Sequence, residues 1–137
     1  RWPLSTRRPG PDAAMIDRFD RVVIHPSDFG RSLAFYRDTL GWDVVAEWGD
    51  GTEPRCAVLS GGGVKVVLAE RVPGVPGDGR AELRLDIHDV ERRFAAVPAG
   101  DHVVREPGDN DRGARDFVVC DPDGNRIAFE EVHRSRG

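Results

Sequence analysis

The chain has 137 residues, of which 39% are apolar and 32% charged, a length that suits one domain burying roughly two thirds of the surface its unfolded form exposes. No apolar run approaches the roughly 20 residues a membrane helix needs. A net charge of −4 argues against a nucleic-acid partner, whose phosphates are held mainly by clustered positive charge.

Arg1, Arg7 and Arg8 against Asp12 place +2 in the first 14 residues, so residues 15–137 carry −6, which suits a neutral or cationic small molecule. Residues 1–14 hold Arg and Pro but no apolar stretch of signal-peptide length, and read as a natural or cloning-derived extension before one domain over 15–137. Phe19–His25 alternates as a strand, with Val22 and Ile24 on one face and Arg21, Val23 and His25 on the other, and Pro26 ends it. Ser27 or Asp28 then caps a helix whose apolar residues Phe29, Leu33, Tyr36 and Leu40 recur at helical spacing up to Gly41. Strands are expected at Trp42–Trp48, Arg55–Ser60 and Val64–Glu70, the last two separated by a glycine triplet with no phosphate-loop context. This first module covers about 19–71, and a Pro/Gly-rich linker occupies 72–79.

The pattern then restarts in a second module over about 80–132. Leu83, Leu85 and Ile87 alternate with Glu82, Arg84 and Asp86, and Asp89 caps a short helix carrying Val90, Phe94 and Val97. Strands follow at His102–Glu106, Asp116–Cys120 and Arg126–Val132. Between the last two, Asp121–Asn125 (DPDGN) lacks the ligand run of a calcium loop and reads as a hairpin turn. Cys56 and Cys120 have no metal-ligand spacing and indicate no disulfide scaffold, which points to a reducing cytoplasm. One offset of 61 residues superposes the halves: Asp28 on Asp89, Arg31 on Arg92, Ala34 on Ala95, Val58 on Val119, Gly63 on Gly124, Val66 on Ile127 and Leu68 on Phe129. The order β, α, β, β, β occurs twice, in an α+β fold.

With that repeat, the segments PSDFGRSLAFYRDTLGW (Pro26–Trp42) and CDPDGNRIAF (Cys120–Phe129) resemble the vicinal oxygen chelate superfamily, which contains glyoxalase I, bleomycin resistance proteins and extradiol dioxygenases. The resemblance implies two tandem βαβββ modules whose curved mixed sheets enclose a cavity, frequently in a homodimer. It fixes the fold more closely than the activity. The family's metal-ligand positions fall at Arg21, Val67, Glu82 and Ala128. Only Glu82 can donate to an ion at neutral pH, so neither a metal nor another cofactor is expected.

A charge pair between Arg21 and Glu82 is expected in place of the ion. Strand alternation adds Val23, His25, Arg84 and Glu130 to the cavity face, and Trp48 is placed there by resemblance to fosfomycin resistance proteins. The bland alternatives are a solvated sheet face and a purely structural Arg21–Glu82 bridge. The first expectation is therefore a cytoplasmic, homodimeric protein that binds a natural product or antibiotic, cationic or aromatic, by sequestration as bleomycin resistance proteins do. The second is an enzyme of the same superfamily (a lyase, isomerase, cyclase or dioxygenase), with His25, Glu82 or Asp86 as acid or base, or with an atypical metal site. A closed structural or regulatory module is the third.

Overall fold

A computed structural model describes residues 17, 19–50, 52–70, 80–111 and 113–131; the expected extension over 1–14 and the linker over 72–79 lie outside them. The first half contains β1 (Val22–Ile24), α1 (Phe29–Ala34), β2 (Asp43–Trp48), β3 (Cys56–Ser60) and β4 (Lys65–Ala69). The second contains β5 (Glu82–Ile87), α2 (Val90–Ala95), β6 (Val103–Asp109), β7 (Arg115–Cys120) and β8 (Arg126–Glu131). Each half builds one four-stranded mixed sheet, in the orders β1-β4-β3-β2 and β5-β8-β7-β6. The first strand of each half runs parallel to the last, and the remaining pairs are antiparallel.

Both helices start on an aspartate, because a carboxylate there satisfies a backbone N–H that the first turn leaves unpaired. Asp28 Oδ1 accepts from Arg31 N at 3.0 Å, and Asp89 Oδ1 accepts from Arg92 N at 3.1 Å. Beyond Ala34 the first helix widens into a π-turn over Phe35–Thr39. Leu40 N donates to Phe35 O at 3.0 Å. A wider turn carries more residues per revolution, and here Phe35 joins Tyr36 and Leu40 in the core, whereas helical spacing alone points only Tyr36 and Leu40 inward.

The repeat is real, but its offset is not uniform. Val22 stands opposite Val66 as Leu83 stands opposite Ile127, which keeps the offset of 61 for β1/β5 and β4/β8. Val58, however, stands opposite Val67, and Val118 stands opposite Ala128. The equivalent of Val58 is therefore Val118, not Val119, since the turn after β7 is one residue longer than the turn after β3. A one-residue difference reverses the face on which a strand residue lies, so Val119 belongs to the core while Val58 belongs to the opposite face.

Two other boundaries depart from expectation. β1 has three residues, with Arg21 and His25 outside it, because it pairs only with β4 and only at those three. β6 extends to Asp109 past Pro107, with register irregularities on the way. That is tolerable because β6 is an edge strand, where a residue without an N–H breaks few ladder bonds.

Val22, Ile24, Leu59, Val66 and Leu68 from the first half share one hydrophobic core with Leu83, Leu85, Phe117, Val119, Ile127 and Phe129 from the second. Burying each large apolar side chain contributes about 1.5–3 kcal/mol. Polar groups also join the halves. The buried Tyr36 hydroxyl donates to Asp121 Oδ2 at 2.8 Å, and Ser27 donates to the Asp123 carboxylate through both its backbone N–H and its hydroxyl. The DPDGN turn is rigid for the same reason: Asp121 Oδ1 accepts from Asp123 N and Asn125 N, each at 2.9 Å. Burial, with the Asp121 charge behind it, pushes the Tyr36 hydroxyl far above its usual range, so it remains a donor. Among the described residues no helix is long and apolar enough to cross a membrane.

Candidate functional site

The face of each sheet turned away from this core carries the candidate residues, and strand register places them in rows. In the first half one row holds Val23, Val67 and Val58, and the next holds Ala69, Cys56 and Trp48. In the second half the corresponding rows are Arg84, Ala128 and Val118, then Asp86, Glu130 and Asp116. The two faces differ in chemistry. The first is apolar and open, with Val23 49% and Trp48 52% exposed. The second is charged.

The centre of the charged face is Asp116, for which the sequence alone indicates only the start of a strand. Its side chain is fully buried and its Oδ2 accepts from Arg84 Nη2 at 2.9 Å and Asn110 Nδ2 at 3.1 Å. Arg105 Nη2 lies 2.5 Å from Oδ1. Burial by itself would raise this carboxyl. The bonds from Asn110 and Arg84 and the charge of Arg105 outweigh it and hold Asp116 below the usual carboxylate range.

Arg84 also reaches Glu82 Oε2 at 2.9 Å and Glu130 Oε1 at 3.5 Å, and these carboxylates overcome its own desolvation and raise its affinity for the proton. Asn110 Nδ2 bonds Glu130 Oε2 at 3.0 Å. Of the expected residues, Glu82, Arg84 and Glu130 therefore come together, through Asp116, Arg105 and Asn110. The available signal was the acidic Asp116 at the head of the apolar run Phe117–Val119.

Arg21 and Glu82 do not pair with each other. Arg21 Nε bonds its neighbour Asp20 at 2.6 Å, and Glu82 takes Arg84 two residues along its own strand. Asp86 is exposed, with no ion pair among the described residues. His25 Nδ1 lies 3.0 Å from Ala69 O. A carbonyl only accepts, so Nδ1 carries a proton, and in the neutral ring Nε2 keeps its lone pair.

Cys56 and Cys120 are free thiols, and burial pushes the Cys56 thiol up, away from a reactive thiolate. Where the halves meet, a cavity of about 280 Å³ is walled by Val22, Val64, Leu83 and Leu85, with Glu82 and Arg84 also in its lining.

The four positions at which this fold would hold a divalent ion do not fit one. Arg21 has no lone pair to give, Val67 and Ala128 have no donor atom, and the Glu82 carboxylate holds Arg84. Among the described residues no group of three or more His, Cys, Asp and Glu side chains is arranged to bind a metal.

The fold is shared with many solved structures. TioX from Micromonospora sp. ML1 superposes with a TM-score of 0.69 at 21% identity, over 83% of this chain and 98% of its own. TnmS3, an antibiotic binding protein from Streptomyces sp. CB03234, gives 0.68 at 24% identity, over 87% and 99%. A lactoylglutathione lyase from Agrobacterium tumefaciens gives 0.63 at 19% identity, over 85% and 95%. At such identities the likeness is one of fold. No curated protein sequence matches the chain. The family model for the Glyoxalase/Bleomycin resistance protein/Dioxygenase superfamily matches residues 18–129, and with both βαβββ halves in place the chain belongs to that superfamily.

Proposed function

We propose that this protein binds a natural product or antibiotic by sequestration, without a metal ion, as a cytoplasmic homodimer. The observation that carries the reading is the contrast between the two outer sheet faces. Val23 and the half-exposed Trp48 offer an apolar and aromatic surface. The second face offers the exposed Asp86 carboxylate, which no arginine neutralises among the described residues. An aromatic or cationic ligand matches that combination, through ring stacking on Trp48 and charge pairing with Asp86. TnmS3, with the same fold, is described as an antibiotic binding protein, which supports sequestration as a use of this scaffold. Exposed apolar groups on both sheets, Val23, Val45 and Trp48 on one and Val104 on the other, support burial against a second copy.

Tryptophan quenching and thermal shift against basic glycopeptides and planar aromatic antibiotics test the reading. Absence of any response in both assays refutes it. Chemistry on the same faces is the second reading, and the contact of His25 favours it: with Nδ1–H committed to Ala69 O, Nε2 of the neutral ring has a lone pair to accept a proton. His25→Gln would then abolish turnover while leaving ligand affinity intact; turnover that survives the substitution removes His25 from that reading.

A further inference from the structure

A second cavity adjoins the one where the halves meet and shares Val64, Arg84 and Leu85 with it. It measures about 340 Å³, and Trp42, Val64, Leu85, Ile87 and Phe129 form its apolar walls. That is enough for a small ligand, since binding pockets start near about 300 Å³. Arg93 joins this lining from α2. Its guanidinium stacks over the Phe129 ring at 4.8 Å and gives one hydrogen bond, from Nη2 to Leu40 O at 2.8 Å.

A guanidinium has five N–H donors, and among the described residues no carboxylate pairs with this one. Arg84 and Asp86 also border the cavity. Arg84 is held by Glu82, Asp116 and Glu130, and strand alternation turns Asp86 toward the opposite face of β5. Arg93 is therefore a half-buried cation beside a largely apolar cavity, with donors to spare, and burial lowers its hold on the proton.

We propose that this cavity binds a small amphiphilic carboxylate, with its hydrocarbon part between Trp42, Leu85 and Phe129 and its anionic head on Arg93. Such a ligand supplies the missing counter-charge and covers apolar surface in one step. A neutral molecule of the same shape supplies only the second.

Isothermal titration with sodium octanoate and with 1-octanol separates the two contributions. Octanoate is expected to bind at least tenfold more tightly than octanol, Arg93→Lys to keep that preference and Arg93→Met to remove it. Val64→Phe, which fills the cavity and leaves Arg93 in place, is expected to abolish binding of both. Equal affinity for octanoate and octanol, no octanoate binding, an unchanged preference in Arg93→Met, or unchanged binding in Val64→Phe overturns the proposal. Should loss of the Leu40 contact prevent Arg93→Met from folding, the octanoate-to-octanol ratio of the native protein and the Val64→Phe titration decide it.

Discussion

Replacing Tyr36 by Phe removes one oxygen atom from a fully buried side chain whose hydroxyl joins the two halves, and little else. The hydroxyl donates to Asp121 Oδ2 at 2.8 Å, and the same oxygen accepts from Asn125 Nδ2 at 2.8 Å. Asp121 is itself 2% exposed, so water cannot replace the lost donor without opening the joint. A hydrogen bond to a charged, buried acceptor is worth about 1.5–3 kcal/mol. The phenyl ring keeps its edge contact with Phe35 at 5.0 Å and its contact with Trp42 at 5.6 Å, so no packing loss adds to this.

With an unfolding entropy of about 0.25 kcal/mol/K for a folded body of this size, the melting temperature should fall by about 6–12 °C. Urea denaturation followed by circular dichroism gives the free energy directly. In a double-mutant cycle, Tyr36→Phe should cost much less once Asp121 is Asn. A loss below about 0.5 kcal/mol for Tyr36→Phe, or full additivity of the two substitutions, refutes the view that this bond staples the halves.

Acid should expose the Asp116 cluster in the same assay. The folded-state pKa of Asp116 lies below its unfolded value, so its stabilisation is complete above the unfolded carboxylate range and is lost as pH falls through the depressed folded value. Asp116→Asn should therefore flatten the acid limb of a stability–pH curve as pH falls below the ordinary carboxylate range of about 4; a limb as steep as in the native protein contradicts this. Gly61→Ala places a Cβ 2.7 Å from the Trp42 ring and should cost about 1–3 kcal/mol by overpacking, seen as a lower denaturation midpoint at an unchanged slope. Trp48→Ala should leave stability within about 0.5 kcal/mol because the ring is 52% exposed. It should weaken binding of an aromatic ligand about three- to tenfold, the worth of one stacking contact, as read by calorimetry.

The sequence carried most of the fold because its signals are local. Asp28 and Asp89 lie where a cap must lie, and period-two alternation in β5 and β8 assigns Leu83, Leu85, Ile127 and Phe129 to the core side. The extra residue in the Asp121–Asn125 turn was less legible, since the offset of 61 holds for β5 and β8 and its failure in β7 alters which face Val118 and Val119 occupy. The candidate site was legible in composition and not in connection. Strand alternation assigns Glu82, Arg84 and Glu130 to one face. Their link through Asp116 depends on a contact 32 residues from Arg84 and on Arg105, which reaches Asp116 from an irregular edge strand. The expected Arg21–Glu82 pair gave way to shorter-range partners, Asp20 and Arg84, which require less ordering of two long side chains across a gap.

The duplicated strands also show where the two halves differ. On the core side the paired positions stay apolar in both halves: Val22 with Leu83, Ile24 with Leu85, Val66 with Ile127, Leu68 with Phe129, and Ala57 with Phe117. Close packing holds them, because each must fill volume against its neighbours and an unpaired charge there would cost several kcal/mol. On the outer side Val67 with Ala128 and Val58 with Val118 stay apolar, but three equivalent pairs have diverged in kind: Val23 with Arg84, Cys56 with Asp116, Ala69 with Glu130. No shared core constrains that face, so one half became an apolar surface with a tryptophan and the other a network of carboxylates and guanidiniums. Under the proposed function, a ligand that touches both would combine an apolar or aromatic part with a polar, preferentially cationic one, and neither half alone would select for both.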